Sequence, residues 1–315
     1  MSVERRVLIT GGAGYVGRLL GARLAESGIF VIGTDLRAYP DLGFPVRTLD
    51  VRDRALEPML HEHRITHVVH LASVLEGGRD RQREHDIDVN GTRNVVECSL
   101  LAGVRHLTVA SSGAAYGFHP DNPEWLDERA PLRAGARFAY AHHKRLVEEL
   151  LAEYRATQPR LAQLVLRIST VLGATTNNQI TALFSRKRIL AVRGSESPFT
   201  FVWDEDVVGA ILHGVMGDRT GVFNLAGDGK LSIHEIADRL GKPMLTVPGR
   251  VLEAALAVGR RFRVSRYGPE QVDFLRFRPV LSNRRLKEEL GYRPAKTSAE
   301  AFEYFVEQAR ARGAL

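Results

Sequence analysis

The chain has 315 residues, of which 44% are hydrophobic and 26% are charged, and its formal net charge is +7 at pH 7. This composition is typical of a globular protein with a large core, and its single cysteine excludes an internal disulfide and favours the reducing cytoplasm. No run of about 18 apolar residues occurs and the basic residues are spread along the chain, so we expect neither a membrane nor a nucleic acid as partner.

The first half of the chain alternates short apolar runs with amphipathic stretches. We predict strands over residues 6–10, 29–34, 46–49, 67–71, 106–110 and 162–168. Helices are predicted between them over residues 15–26, 54–63, 89–102 and 139–156. Because strands that alternate with helices form βαβ units, this order predicts an α/β fold of the Rossmann type, a doubly wound parallel sheet with helices on both faces.

The second half is less regular. Strands are predicted over 199–203 and 221–226, and helices over 204–213, 232–241, 251–261, 283–290 and 299–312, whereas 170–197 is interpreted as loop and short helix. The run Arg260-Arg261-Phe262-Arg263 is interpreted as a solvated helix face. We expect residues 1–170 to form the Rossmann domain and residues 171–315 a smaller C-terminal α/β lobe, with about 199–226 returning to the first domain.

A glycine-rich run joins the first predicted strand to the first predicted helix, Gly11-Gly12-Ala13-Gly14-Tyr15-Val16-Gly17. Glycines allow a tight turn and a close approach of the backbone to a pyrophosphate, and the helix N-terminus offers free N–H groups to it. Taken alone, such a run also fits an ordinary turn between strand and helix. In this context it predicts a dinucleotide site formed by Gly11, Gly14, Tyr15, Val16 and Gly17.

Asp35 ends the second predicted strand. A carboxylate at that position can hold both ribose hydroxyls of an adenosine and repels a 2′-phosphate, which favours NAD as the cofactor. Arg37 follows two residues later and could accept that phosphate, so NADP is the less favoured alternative.

A possible proton-transfer group is Tyr140, which stands four residues before Lys144 on a predicted helix. Residues with this spacing share one helix face, and a lysine ammonium favours the phenolate, so we expect the pKa of Tyr140 to be lowered toward neutrality. Tyr140 could then act as general base or acid on an alcohol. Ser112, near the carboxyl end of the fifth strand, could orient the substrate oxygen toward it.

These motifs, in this order, resemble those of the extended short-chain dehydrogenase/reductase family, the NAD-dependent epimerase/dehydratase group. Thr10–Gly17 resembles its TGGxGxxG, Tyr140 to Lys144 its YxxxK, and Ser112 its catalytic Ser/Thr. The resemblance implies an NAD-binding domain over 1–170 and a substrate-binding lobe over 171–315. It adds cofactor contacts from Asp50, Val51, Leu71, Ala72, Ser73, Asp88, Ile168 and Ser169, and lets Tyr140 and Lys144 bind the cofactor as well. It also implies a homodimer formed through the helices at 89–102 and 139–156.

The chain departs from the family at several positions. Asp88 stands where its helix motif has asparagine, Thr170 where its sugar-nucleotide epimerases have asparagine, and Phe199 where they have an arginine that grips a diphosphate. The basic run 186–188 could supply a different phosphate contact, or be an exposed helix end.

We therefore predict an NAD-dependent enzyme, with three functions in view. The first is a nucleoside-diphosphate-sugar epimerase that works by transient hydride transfer, with Tyr140 as acid and base. The alternative is an NAD(P)-dependent dehydrogenase or ketoreductase for a bulky apolar alcohol or ketone, such as a sterol-like molecule or a secondary metabolite. A non-catalytic dinucleotide binder is the third. No metal site is predicted, because the histidine pairs at 61/63 and 142/143 have no third ligand at a matching spacing.

Overall fold

The computed structural model describes residues 4–37, 39, 41–75, 80–262 and 268–315. Its strands are β1 (Arg6–Thr10), β2 (Phe30–Asp35), β3 (Val46–Thr48), β4 (His67–His70), β5 (His106–Ser112), β6 (Ala162–Ile168), β7 (Thr170–Leu172), β8 (Ile189–Val192), β9 (Phe201–Trp203), β10 (Gly221–Leu225) and β11 (Met244–Val247). Seven of them form one sheet in the order β10-β6-β5-β4-β1-β2-β3, and every pairing in it is parallel. The predicted doubly wound Rossmann-type α/β fold is thereby confirmed.

Helices pack on both faces of this sheet, and others belong to the second half of the chain. The helices are α1 (Tyr15–Glu26), α2 (Leu56–Glu62), α3 (Arg81–His85), α4 (Gly91–Leu101), α5 (Ala139–Thr157), α6 (Gln179–Phe184), α7 (Asp204–Met216), α8 (Ile233–Leu240), α9 (Gly249–Arg261), α10 (Gln271–Arg276) and α11 (Ser298–Ala311). A π-helical segment, Asp86–Asn90, joins α3 to α4, and another, Leu286–Leu290, occupies most of the helix predicted over 283–290.

The alternation of side chains along β1 explains why the sheet is buried on both faces. Val7 and Ile9 lie in the core cluster that includes Leu20 and Leu24 of α1, while Leu8 lies in the opposite cluster with Val95 of α4. Successive side chains of a strand point to opposite faces, so a continuous apolar run supplies both cores at once.

The order of the strands places the site. β1 pairs with β2 on one side and β4 on the other, so the chain reverses its direction of travel across the sheet at β1. In open α/β sheets, ligands bind beyond the carboxyl ends of the strands at this reversal. The glycine run follows β1, and residues 71–73 follow β4, so both predicted cofactor segments end at this point.

The second half contributes to the sheet and also forms a core of its own. β10 pairs with β6 at one end of the seven-stranded sheet, while β7–β9 and β8–β11 form two small parallel sheets. The separate core contains Phe184, Phe199, Phe201, Phe302 and Phe305. β7 and β8 lie in the segment predicted as loop and short helix, because strands of three or four residues are too short for a clear alternation. The division into two lobes near residue 170 stays a prediction.

The described residues contain neither a membrane-spanning helix nor a cluster of metal ligands. None of the described helices is both long and apolar enough to cross a bilayer. Among the same residues, no group of three or more His, Cys, Asp or Glu side chains is arranged to hold a metal ion.

Candidate active site

The glycine run forms a bare backbone turn at the carboxyl end of β1. Gly11 has a φ of +70°, and a Cβ on it would lie 2.8 Å from the backbone nitrogen of Ala72. A Cβ on Gly12 would lie 2.9 Å from the Cα of Gly33, and one on Gly17 would overlap the carbonyl oxygen of Gly11. Gly14 precedes α1 and has no side chain to cap it. Packing therefore requires glycine here, and the N–H groups of the first turn stay available, as a pyrophosphate site needs.

Asp35 faces this turn from the end of β2. Its carboxylate accepts hydrogen bonds from the backbone N–H of Ala13 at 3.1 Å and of Leu36 at 2.8 Å. Arg37 is exposed. The acidic group is thus fixed beside the glycine turn, while the basic group that could compete for the same ligand lies at the surface.

Asp50 is held by an arginine that the sequence analysis did not consider. The guanidinium of Arg52 donates to Asp50 at 2.7 and 3.0 Å and to Asp86 at 2.6 Å. The hydrogen bonds from Arg52 hold the pKa of Asp50 below its usual value, although burial opposes this. Val51, the next residue, is buried and packs against Gly91 at the start of α4.

Asp88 connects the end of β4 to α5. Its buried carboxylate accepts hydrogen bonds from the Ser73 hydroxyl at 3.0 Å, the Val74 backbone N–H at 2.8 Å and Nδ1 of His143 at 3.0 Å. Burial raises the pKa of Asp88, but these donors and the nearby Lys144 together hold it below its usual value. An asparagine has only one acceptor oxygen, so the departure from the family motif is explained by the extra donor, His143.

Leu71, Ala72 and Ser73 form the segment that Asp88 holds. Ala72 lies against Gly11, and the side chain of Leu71 packs against the core that contains α1. The predicted cofactor segments after β1 and β4 are therefore in direct contact with each other. Their contact with a cofactor remains a prediction.

The three predicted catalytic residues come together. Ser112 ends β5, and its hydroxyl is near enough to that of Tyr140, in the first turn of α5, to lower the pKa of the phenol. Nζ of Lys144 lies 5.7 Å from the centroid of the Tyr140 ring and donates to the carbonyl oxygen of Ala110 at 2.9 Å. Tyr140 is partly buried and Lys144 is buried. The arrangement can orient an alcohol oxygen and exchange a proton with it.

The expected direction of the Tyr140 pKa is wrong. Burial raises the pKa of Tyr140, and the hydrogen bond from Ser112 offsets this only in part. Burial lowers the pKa of Lys144, while the charges of Asp88 and Glu148 oppose that shift. The ammonium of Lys144 is directed at the Ala110 carbonyl, so it does not reverse the effect of burial on the phenol. Burial therefore favours the protonated form of Tyr140.

The remaining predicted cofactor residues lie on two further elements. Ile168 ends β6 in register with Ser112, and the hydroxyl of Ser169 has no hydrogen-bond partner within the described chain. Val16, the second residue of α1, packs against the core cluster that contains Leu20 and Leu24. The hydroxyl of Tyr15 donates to the carboxylate of Asp204 at the start of α7, and the contact of Tyr15 with a cofactor remains a prediction.

Arg278 is a candidate functional residue that the sequence analysis missed. It is only 9% exposed, and its guanidinium carbon lies 3.9 Å from the ring centroid of Phe199 and 4.0 Å from that of Phe274. Among the described residues, nothing forms a hydrogen bond with its Nε or Nη2, and burial lowers its pKa to about 9. Position 199, where the family's sugar-nucleotide epimerases have an arginine, is thus a phenylalanine. The guanidinium of Arg278 packs on the face of its ring.

Phenylalanine rings connect Arg278 to the helix of Tyr140. The ring of Phe274 lies 5.1 Å from that of Phe118 and 6.4 Å from that of Phe138, which precedes Tyr140 by two residues. The basic run at 186–188 is exposed and follows α6, and no described contact joins it to this group. The sequence around Arg278 gives no sign of a functional role, because that role depends on the contact of Arg278 with Phe199, which is distant in sequence.

Comparisons with known proteins agree with this geometry. Residues 7–226 match the sequence model of the NAD dependent epimerase/dehydratase family. An uncharacterized protein of Mycobacterium tuberculosis is 25% identical over 95% of this chain and 83% of its own length, and the UDP-glucose 4-epimerase of Neisseria meningitidis is 27% identical over 54% of each. The crystal structure of the Thermus thermophilus UDP-glucose 4-epimerase in complex with NAD is 25% identical, with a TM-score of 0.76 over 97% of this chain and 99% of that one. The chain belongs to the NAD-dependent epimerase/dehydratase family.

Proposed function

We propose that this protein is a nucleoside-diphosphate-sugar epimerase that uses NAD and acts by transient hydride transfer. The observation that carries the proposal is the buried guanidinium of Arg278, which has unsatisfied donors and lies in contact with the aromatic side chains that lead to Tyr140. A buried charge without a partner costs free energy, and an anionic ligand removes that cost.

A diphosphate fits this guanidinium better than an uncharged substrate does. Arginine presents a planar set of donors that matches phosphate oxygens, and a guanidinium held between two rings keeps its plane fixed. The rings of Phe199 and Phe274 hold Arg278 in this way. The exposed residues at 186–188 have no such fixed geometry.

The residues around the glycine turn fit NAD. The turn at Gly11, Gly14 and Gly17 with the first turn of α1 would hold the pyrophosphate, and Asp35 would hold the adenosine ribose. A 2′-phosphate would meet the Asp35 carboxylate, which favours NAD over NADP. The other residues proposed to contact NAD are Tyr15, Val16, Arg37, Asp50, Val51, Leu71, Ala72, Ser73, Asp88, Ile168, Ser169, Tyr140 and Lys144.

Tyr140 is proposed to manage the proton of the sugar hydroxyl. NAD held by the glycine turn and Asp35 would supply reversible hydride transfer at the sugar carbon. The Ser112 hydroxyl orients the sugar oxygen, and the oxygen of Tyr140 takes its proton and later gives it back. Because burial raises the pKa of Tyr140, the phenolate must be formed against that bias, and the ammonium of Lys144 is the group placed to stabilise it.

Names of relatives support the same reaction class. The proteins from Neisseria meningitidis and Thermus thermophilus are named UDP-glucose 4-epimerases, and this chain covers nearly all of the second. The substrate we propose is therefore a UDP-sugar.

One observation favours the alternative, a dehydrogenase or ketoreductase for an apolar substrate. The half-buried rings of Phe118, Phe138 and Phe274 form an aromatic group, and Phe138 stands two residues before Tyr140. However, Phe199, which stands where the family's sugar-nucleotide epimerases have an arginine, is buried in the core together with Phe201, so neither ring is exposed to an apolar substrate. We therefore favour the sugar epimerase.

The decisive experiment compares Arg278→Gln with Arg186→Gln, a matched change at an exposed arginine. We expect UDP to raise the melting temperature of the wild type and of Arg186→Gln, and not of Arg278→Gln, because a ligand stabilises only the form that binds it. Interconversion of UDP-sugars, followed by chromatography, should fall at least tenfold in Arg278→Gln. No response to UDP in the wild type, with net NADH consumption on an apolar ketone, would replace the epimerase by the alternative.

We also propose that the protein works in the cytoplasm as a homodimer. Cys98 is a buried free thiol, as a reducing compartment allows. Leu101, at the end of α4, is 54% exposed and would be covered if α4 and α5 met a second copy.

A further inference from the structure

Helix α9 presents an apolar face to the surface. Within α9, whose thirteen residues are all described, no side chain is buried. Val251 and Val258 are each 57% exposed, and Phe262, directly after the helix, is 70% exposed. Together with Ala254 and Ala255 they have the 3–4 residue spacing of one helix face. We refer to these five residues as the α9 face.

No other described part of the protein buries the α9 face. Leu252 and Leu256, which point the other way, are half-buried, and a Cβ on Gly249 would lie 3.5 to 3.8 Å from side-chain atoms of Val192, Val272 and Arg276. A shallow groove of about 610 Å³ follows the α9 face and Gly259. Within the described residues, the helix is therefore attached by one side, and its opposite apolar side is exposed.

Basic residues border the α9 face. At 100° per residue, Arg250 and Arg261 fall next to each other on one edge of it, one at each end of the helix. No carboxylate in the described part of the chain pairs with either of them, whereas Arg260, farther round the helix, pairs with Glu270 at 3.2 Å. Glu253, the acidic residue of α9, lies on the Arg260 side. The edge of the apolar face is thus positively charged.

A lipid surface matches this pattern better than a second copy of the chain. In an antiparallel two-fold contact through the α9 face, Arg250 of one copy would lie beside Arg261 of the other, so like charges would meet. A helix with an apolar face bordered by arginines can instead lie in a bilayer interface, with its apolar side chains among the acyl chains and its arginines at anionic headgroups. We propose that α9 docks the protein on the surface of a membrane that contains anionic lipids, a partner that the search of the sequence for a membrane-spanning run did not lead us to expect.

Flotation with vesicles tests this proposal on the full chain. The wild type should float with phosphatidylglycerol/phosphatidylcholine vesicles, and at least tenfold less with pure phosphatidylcholine or at high salt. Val258→Glu should abolish flotation, whereas Met216→Glu, the same type of change at an exposed apolar residue at the end of α7, should leave it intact. Arg250→Gln with Arg261→Gln should weaken it severalfold without changing an apolar side chain.

Three outcomes would overturn the proposal. The first is a wild type that does not float with anionic vesicles. The second is a folded Val258→Glu variant, judged by an unchanged melting temperature, that floats like Met216→Glu. The third is a wild type that does not bind vesicles and that light scattering shows to be an oligomer, which Val258→Glu converts to a smaller species. A second copy of the chain would then cover the α9 face.

Discussion

The hydroxyl of Tyr15 donates a hydrogen bond to the carboxylate of Asp204 over 2.5 Å, and so joins the first turn of α1 to the first turn of α7. Burial raises the pKa of Asp204 and also that of Tyr15. The contact stands directly behind the glycine turn and is tightly packed, because a Cβ on Gly173 would overlap both side chains.

Removing one partner of this contact should cost more than removing both. Tyr15→Phe leaves the Asp204 carboxylate without its donor, so we expect the free energy of unfolding to fall by about 1–3 kcal/mol. The double variant Tyr15→Phe/Asp204→Leu should be no less stable than the single one. Urea unfolding of the four proteins of the double-mutant cycle measures the coupling, and additive losses would contradict it.

Tyr140→Phe should abolish proton transfer and leave the fold intact. The variant lacks the phenolic proton, so we expect kcat for UDP-sugar interconversion to fall by about 10²–10⁴-fold. The melting temperature and the NAD content of the purified protein should stay close to those of the wild type. Ser112→Ala, which removes the orienting hydroxyl, should give a smaller loss. An unchanged rate in Tyr140→Phe would exclude the proposed acid–base role.

Asp88→Asn should shift the pH profile as well as the stability. The substitution removes the acceptor of His143 and a negative charge that favours the ammonium of Lys144. We therefore expect the pKa of Lys144 to fall further, and the alkaline limb of kcat/KM to move to lower pH. The free energy of unfolding should fall by about 1–3 kcal/mol. A loss of stability with an unchanged pH profile would make Asp88 only a packing residue.

Buried His70 should make the protein sensitive to mild acid. Its ring nitrogens lie 2.7 and 3.0 Å from the hydroxyls of Thr10 and Thr92, and burial lowers its pKa to about 3. The unfolded chain takes up this proton near pH 6.5 and the folded chain does not, so the contribution of His70 is complete above pH 6.5 and is lost as the pH falls toward 3.

At pH 5 the loss at His70 amounts to about 2 kcal/mol, from 1.36 kcal/mol per pH unit below 6.5. A folded His70→Asn variant should lose correspondingly less stability between pH 7 and pH 5 than the wild type. His61→Gln, at an exposed histidine, serves as the control and should follow the wild type. Parallel curves for His70→Asn and the wild type would show that His70 is not the titrating group.

Leu101→Glu tests the proposed dimer. A charge at the exposed end of α4 should break a contact between two copies, and light scattering should then give the mass of a single chain. Arg105→Glu, at an exposed residue beyond α4, offers a charge change outside that helix. A wild type of single-chain mass would remove the dimer from the proposed function.

Local motifs made most of the site predictable. The turn at Gly11 and the pair Tyr140 and Lys144 depend on residues close in sequence, and a strand-to-helix turn or a helix face follows directly from their spacing. The contacts of Tyr15 with Asp204 and of Arg278 with Phe199 join distant segments. The periodicity of a sequence carries no information about contacts between distant segments. The sequence therefore predicted only a cofactor contact for Tyr15 and no role for Arg278.

Electrostatics were less predictable than geometry. Lys144 lies one helical turn from Tyr140, as the spacing of the two residues predicts. The sign of the Tyr140 pKa shift depends on burial and on the Ala110 carbonyl that takes a hydrogen bond from Lys144, and neither is visible in the YxxxK pattern. The family resemblance likewise did not reveal that Asp88 has His143 as its donor.

The position of β10 has a consequence for how the chain can be synthesised and divided. β10 covers the open side of β6, but the ribosome makes β10 long after β6. A nascent chain that has only reached residue 170 therefore exposes a row of unpaired backbone groups along β6. Such an uncovered edge invites pairing with other chains. A fragment truncated near that residue should therefore aggregate, and a shorter expression product that remains dispersed would have to extend through Leu225.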